Sequence, residues 1–293
     1  MKEIIFACDL DNTLIHSWKH RREGDLCIEH IGEKEQGYMS PEAVKLFGAL
    51  PENVLLVPVT TRSVDQYRRI YWPGEREPEL AVTTNGAILL GPRNAQGDEK
   101  GFPGKLEAAG ERAGNGAAQK DLEILPGMIR QWISESESAA APLRRTMDEL
   151  LEILSASGRF QRVRTVDDFY LFVCCEEGQD PMDALPESAF GKGLQVVSSG
   201  RKAYLLPPMF NKGEAVRRLK GHLQPSVILA AGDTEIDLSM AEPADRMCIP
   251  EKLFRACGQE LPQRVREKLL ICPKGEDFSV FVLREACRCA ERM

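Results

Sequence analysis

The sequence predicts an α/β protein: an open sheet of parallel strands interrupted by an α+β module. Three observations carry this reading. Continuous apolar runs at 4–8, 54–59 and 227–231 have the composition of strands buried on both faces. Helical signals alternate with them, which implies parallel strands joined by helical crossovers. Between 160 and 206 the strand signals come instead in pairs separated by short turns, the pattern of an antiparallel sheet.

In chain order, residues 4–8 open as the first strand. Ser40-Pro41-Glu42 sets a capping residue before a proline at the first helical position, so a helix runs from there to about Leu50. Residues 54–59 make the second strand, 64–71 a short helix and 80–83 a third strand. The stretch 91–120 is rich in Gly, Ala and charge without a clear period, and reads as a long mobile loop. Helices follow near 126–134 and 143–155, then a strand pair, 160–165 with 169–175, and a short helix near 181–190. A hairpin of 194–198 with 202–206 turns at Ser199-Gly200. The alternation resumes after Asn211 with helix 212–222, strand 227–231, helix 236–241, strand 247–249 and a closing helix at 279–291. One domain, 1–87 with 208–293, is thus interrupted by another, 88–207. No internal repeat is visible.

A chain of 293 residues corresponds to about two domains and buries enough surface to fold without a disulfide or metal staple. With 43% hydrophobic and 28% charged residues, it is not a disordered chain. Its 38 Lys+Arg against 45 Asp+Glu give a net charge of −7, which argues against a nucleic-acid grip on a broad basic face. A local basic pocket for a small anion stays compatible with that balance. The N-terminal segment turns acidic at Asp9 after five apolar residues, too few for a signal-peptide core. No run approaches the ~18 apolar residues of a membrane span. Nine cysteines, odd in number and often inside apolar runs (Cys8, Cys174, Cys175), fit buried thiols in a reducing compartment. The expectation is a soluble, cytoplasmic protein with neither nucleic acid nor membrane as partner; oligomeric state leaves no signature.

In open α/β sheets, ligands bind beyond the carboxyl ends of the strands, and four polar segments fall there. Asp9-Leu10-Asp11-Asn12-Thr13 follows the first strand. Of two acids so spaced, the first can attack an electrophile and hold a cation while the second shuttles a proton; a turn or capping pair is the plainer alternative. Thr60-Thr61-Arg62-Ser63 offers hydroxyls and free N–H groups at a helix start, suited to a phosphoryl oxygen, or simply a helix cap. Lys212 opens a helix, where a cation opposes the dipole and calls for a partner anion unless it is solvated. Gly232-Asp233-Thr234-Glu235-Ile236-Asp237 follows a buried strand, and Asp233 with Asp237 would provide hard oxygen ligands for Mg²⁺, or cap the next helix.

Taken together and in this order, the four segments resemble the haloacid dehalogenase superfamily of phosphohydrolases. Asp9-x-Asp11-x-Thr13 resembles its first motif, Thr60 its second, Lys212 its third, and Gly232-Asp233 with Asp237 its fourth. The first and fourth are specific, the second and third only in that context. Thr83-Thr84-Asn85-Gly86-Ala87 is similar to the strand-to-cap junction of the Cof-type, sucrose-phosphatase-like branch, which inserts its cap between the second and third motifs. The resemblance covers essentially the whole chain. It implies a Rossmann-like parallel core with an inserted α+β cap, and a Mg²⁺-dependent phosphatase acting on a small phosphate monoester, a sugar or sugar-acid phosphate. By the same implication, Asp9 is the nucleophile and Asp11 the acid and base. Mg²⁺ would be held by the Asp9 carboxylate, the Asp11 carbonyl and Asp233, with Asp237 orienting the metal shell. Thr60, Thr61 and Lys212 would bind the phosphoryl group, and Arg62, Asn85 and Arg201 are candidate substrate contacts.

Several positions depart from the pattern. Asn12 stands where this branch usually has Gly, and Thr61 replaces a Gly before Arg62. Ile236 replaces an Asn, which predicts thinner support for Asp237. Residues 16–38 exceed the usual length after the first motif and predict an enlarged flap over the site; 91–120 has no obvious family counterpart. Asp11 speaks against dehalogenase chemistry, and the missing membrane spans against a P-type ATPase. A sugar phosphomutase and a non-catalytic ligand-binding protein are the alternatives.

Overall fold

The computed structural model describes residues 3–74, 76–92 and 116–293. Its first strand, β1 (Ile4–Cys8), is buried at every position, as an apolar strand with neighbours on both edges must be. A three-stranded antiparallel flap follows: β2 (His16–Ser17), β3 (Leu26–Ile31) and β4 (Lys34–Met39), in the order β2-β4-β3. Helix α1 (Pro41–Gly48) begins as its sequence dictates, with the Ser40 side chain accepting the Ala43 N–H and Pro41 in the first turn. Next come β5 (Val54–Pro58) and α2 (Val64–Arg68), the latter opened by a reciprocal cap between Ser63 and Gln66. β6 (Ala81–Thr83) and β7 (Ile88–Leu90) form an antiparallel ribbon that joins the core through a bridge between Val59 and Val82.

Helices α3 (Gly116–Ala140) and α4 (Arg144–Ala156) precede an antiparallel sheet built from β8 (Arg162–Val166), β9 (Tyr170–Cys174), β10 (Gln195–Ser199) and β11 (Lys202–Leu206), with the short α5 (Pro181–Ala184) between β9 and β10. The order is β10-β11-β9-β8. The chain then runs through α6 (Lys212–Leu223), β12 (Val227–Ala231), a 3-10 segment Glu235–Ala241, β13 (Arg246–Pro250), α7 (Glu251–Cys257), α8 (Gln263–Arg266), β14 (Leu269–Cys272) and α9 (Phe278–Glu291). Five strands make the core sheet in the order β14-β13-β12-β1-β5, all parallel.

Register positions the chemistry. Cys8 lies level with Ala231 on one side and Pro58 on the other, so the segments after β1, β5 and β12 leave the same edge side by side. Along β1 the side chains alternate between two apolar layers, as period two requires. Ile4, Phe6 and Cys8 join Phe47, Val280 and Leu283 on one face. Ile5 and Ala7 join Met128, Trp132, Val216 and Leu219 on the other. A third cluster, Met147, Leu150 and Leu154 of α4 against Leu171, Val173, Ala203 and Leu205, holds the antiparallel sheet.

The α/β architecture matches the sequence expectation; several local features differ from it. Of the expected loop 91–120, residues 93–115 lie outside the described residues, but 116–120 already belong to α3, which runs through Pro126 to Ala140. Packing carries that helix further than propensity suggests: Met128 and Trp132 are buried in the core, and Trp132 Nε1 donates to the Gly86 carbonyl at 3.1 Å. Helix α2 stops at Arg68 rather than 71 because the flap takes the next backbone groups, with Ile70 bridging Glu29 and Tyr71 N–H donating to the Ile28 carbonyl at 2.7 Å. The predicted helix at 236–241 is a 3-10 segment. The flap strands, β7, α7 and β14 have no counterpart in the sequence expectation.

At Gly213 the chain makes a close approach that the site needs. A Cβ at Gly213, in the first turn of α6, would sit 2.2 Å from the Ser239 carbonyl oxygen, whereas Gly221 in the same helix faces open space. Gly213→Ala should cost about 1–3 kcal/mol through overpacking, measured as a lower Tm, while Gly221→Ala should leave Tm unchanged or higher.

Candidate active site

Three charged groups lie at the centre of the strand edge. Asp9 extends the pairing of β1 by donating its N–H to the Ala231 carbonyl at 2.9 Å. Its carboxylate accepts from Lys212 Nζ and, at 3.3 Å, from Thr13 Oγ1. Lys212 also donates to Asp237 Oδ1 at 2.6 Å. Asp9 is 6% exposed, Lys212 2% and Asp237 0%, so these charges are sustained by one another rather than by water. Burial alone would discharge Lys212, but the flanking Asp237 and Asp9 hold it protonated well above the usual lysine range. The two carboxylates are the anions that a cation at a helix start calls for.

Asp237 is more tightly held than Ile236 led the sequence to suggest. Its Oδ2 accepts from Thr234 Oγ1 (2.7 Å), Thr234 N–H (2.9 Å) and Asp233 N–H (3.1 Å). Gly232 makes room for it, since a Cβ there would lie 2.2 Å from that of Asp237. Asn12 has φ 60°, a left-handed conformation that asparagine tolerates, which explains why it can stand in for glycine.

Oxygen atoms of Asp9, Asp233 and Asp237 all lie within 4.8 Å of one another. Burial, reinforced by neighbouring carboxylates, pushes Asp9 up to about 7 and Asp233 up to about 8. A cluster of hard oxygen donors so short of positive charge fits Mg²⁺. Asp237 takes four hydrogen bonds, from Lys212, Thr234 Oγ1, Thr234 N–H and Asp233 N–H, against two on Asp9, so Asp9 and Asp233 keep more capacity for direct ligation. A cleft of about 430 Å³, bounded in part by Asn12, His16, Arg22, Asp233, Lys252 and Asp277, opens beside Asp233.

Asp11 turns outward from this centre. Both its oxygens accept from the Arg62 fork, Nε at 2.9 Å and Nη2 at 2.8 Å. Desolvation would raise Asp11, but the guanidinium outweighs it and holds the carboxyl below its ordinary value. Thr60 is fully buried, and its Oγ1 accepts the Arg62 N–H at 3.1 Å. The Thr61 carbonyl accepts from Tyr170 of the antiparallel sheet at 2.8 Å. Asn85, at φ 51°, donates to the Phe210 carbonyl at 2.8 Å, so its amide fastens the two crossings between sheets. Arg201 sits on the exposed hairpin turn and donates to Gln161 at 3.4 Å.

Thus Asp9, Asp11, Thr60, Thr61, Arg62, Lys212, Asp233 and Asp237 share the edge, while Asn85 is buried at the junction and Arg201 lies out on the turn. The structure adds residues that motif reading overlooked. Asp167, between β8 and β9, accepts from Val64 N–H at 3.0 Å and Thr84 Oγ1 at 2.5 Å, capping α2 from the other sheet. Burial pushes the Tyr204 hydroxyl up to about 12, although its hydrogen bond with Thr61 acts to lower it. Lys202 adds to the positive field at Asp11. Glu29, on the flap, pairs with Arg62. An acid inside the strand LCIEHI was the available signal for Glu29; for the others only the fold reveals the proximity.

The parallel core and the charged edge define an α/β fold of the Rossmann-like kind. Among solved structures, the chain is similar to the sucrose-phosphatase of Synechocystis sp. PCC6803, in complex with sucrose and phosphate, with a TM-score of 0.59, 18% identity and 96% of each chain covered. It is also similar to a haloacid dehalogenase-like hydrolase from B. subtilis (TM-score 0.50, 17% identity, 98% of this chain and 99% of that one). A trehalose-6-phosphate phosphatase related protein aligns with a TM-score of 0.50, 14% identity and 99% of each chain. At such identities the likeness is one of fold. No family model and no curated protein sequence matches the chain. Among the described residues, no helix is long and apolar enough to cross a membrane.

Because Asp9 and Asp233 bind protons more tightly in the folded chain than in an unfolded one, whose carboxyls titrate near 3.8, the folded state carries more protons between about pH 4 and 8. Their contribution to stability is complete below about pH 4 and is lost as pH rises through 7 to 8. The metal-free protein should therefore melt at a lower temperature at about pH 9 than at about pH 5. Added Mg²⁺ should raise Tm more at the higher pH, since cation and proton compete for the same oxygens; Asp233→Asn should flatten both effects.

Proposed function

We propose that this chain is a Mg²⁺-dependent phosphoric monoester hydrolase acting on a small sugar or sugar-acid phosphate through an aspartyl-phosphate at Asp9. The observation that carries the reading is the nucleophile-ready Asp9, paired with Lys212 and set beside Asp233, with a second acid two residues on. A phosphate dianion repels a carboxylate, so positive charge must be arranged before attack. Lys212 provides part of it. Mg²⁺ held by Asp9, the Asp11 carbonyl and Asp233 would neutralise phosphoryl oxygens when bound.

Asp9 attacks phosphorus in line, an Oδ–P bond forms, and the P–O bond to the alcohol breaks. Asp11 delivers a proton to the departing oxygen. It then takes a proton from water, whose oxygen displaces the Asp9 carboxylate and releases inorganic phosphate. Thr60 and Thr61, at the start of the segment leading to α2, face phosphoryl oxygens together with Lys212. We assign 88–207 as the inserted cap, with Lys202 and Tyr204 on its sheet nearest the leaving alcohol; a cation there favours a sugar carrying an acid group. The likeness to a sucrose-phosphatase solved in complex with sucrose and phosphate supports this substrate class. All nine cysteines are free, in keeping with work in a reducing, cytoplasmic compartment.

Phosphate release from a panel of phosphorylated sugars and sugar acids, with and without Mg²⁺, tests the proposal. Asp9→Asn should lower kcat by about 10³-fold or more with an unchanged circular dichroism spectrum. Isomerisation of a hexose phosphate without release would point to a mutase, and an inert wild-type protein would refute the enzymatic reading.

A further inference from the structure

Glu29 lies on the flap, far from the motifs, yet is 1% exposed. The register between β3 and β4 shifts on both sides of it, a bulge that sets Glu29 opposite Gly37 and re-aims its side chain. Gly37 leaves the room it occupies, since a Cβ there would come within 3.0 Å of Glu29 Oε2. The flap strand is fixed from beneath as well, through the bridge between Glu29 and Ile70. So placed, Glu29 Oε2 lies 2.9 Å from Arg62 Nη2, and its Oε1 3.3 Å from Arg69 Nε.

One guanidinium therefore serves two carboxylates. Arg62 grips Asp11 with Nε and Nη2, and the same Nη2 lies against Glu29. On the phosphatase reading above, on which this inference rests, Asp11 cannot reach a leaving oxygen while both its own oxygens are in the fork. It has to let go. The Arg62 side chain is only 11% exposed, and a guanidinium left there without a counter-charge is costly. Glu29 does not move with Asp11, because the flap ladder fixes it.

We propose that Glu29 is a positioning residue that keeps Arg62 in place and neutralised, so that Asp11 can pass between Arg62 and the leaving-group oxygen. Removing its charge leaves Asp11 as the nearer counter-ion of Arg62 and tightens the grip on it. The loss then appears only where the leaving group needs a proton.

The test compares kcat/KM for 4-nitrophenyl phosphate, whose phenolate departs without protonation, with that for an alkyl ester such as glucose 6-phosphate or the best substrate of the panel. Glu29→Gln should lower the alkyl value by roughly tenfold or more and the aryl value by less than about threefold; Glu29→Asp, which keeps the charge, should recover most of the alkyl loss. A purely structural role would lower both esters alike, and equal losses, no loss, or no recovery in Glu29→Asp would overturn the proposal. Should Glu29→Gln not fold, Glu29→Asp carries the comparison alone, with a smaller loss confined to the alkyl ester as the expected result and an unchanged ratio as the overturning one. A wild-type chain inert toward both esters would sink the phosphatase reading and this role with it, whereas an active one with equal losses sinks the role of Glu29 alone.

Discussion

Lys212 sits between Asp9 and Asp237 with almost no access to water, and the rest of the edge is arranged around that contact. Its ammonium ties a carboxylate from the start of the chain to one near its end, across a separation of 203 residues from Asp9. Each of these buried groups faces one of opposite charge, which offsets the cost of taking them out of water. The fold meets the requirement with small residues: Gly213 lets the first turn of α6 close on Ser239, and Gly232 lets Asp237 tuck beneath its own loop. Thr234 and two backbone N–H groups then saturate Asp237, which makes it an anchor for the lysine. Asp9 and Asp233 are left with their charge only partly compensated, and that deficit is what a divalent cation would relieve.

The antiparallel sheet is coupled to this edge through a small number of polar contacts. Asp167 caps α2 and grips Thr84, while Tyr170 bonds the Thr61 carbonyl. The backbone of the Thr60–Ser63 segment is therefore shaped from two directions, by the core strand below and by the sheet above. The flap supplies a third through Glu29 and Arg62.

The core was legible because its strands are buried on both faces and spell continuous apolar runs, with Ser40-Pro41 and Asn211-Lys212 punctuating the helices. Its motifs were legible because they follow those runs directly. What stayed hidden depends on contacts between distant segments. The flap strand Lys34–Met39 carries charges at two of its first positions and a glycine in its middle, so no alternation announces it, and its order comes from the ladder with β3. β14 is a half-buried edge of four residues, too short to declare a period. Helix α3 passes through a proline that marks a break by local rules, yet the burial of Trp132 sustains it. For the same reason no motif singles out Asp167 or Glu29, and only the fold sets them against Val64 and Arg62.

The level alignment of Cys8 with both Pro58 and Ala231 makes chain length, more than side-chain identity, the quantity that the core strands must conserve. One residue gained or lost within β5 or β12 would slide its following loop by about 3.3 Å and turn the side chains beyond the change toward the opposite layer. Insertions in the turn between β3 and β4 would leave that alignment untouched. Length can therefore change in the flap turn without moving the edge, while the central strands accommodate only the exchange of one apolar residue for another.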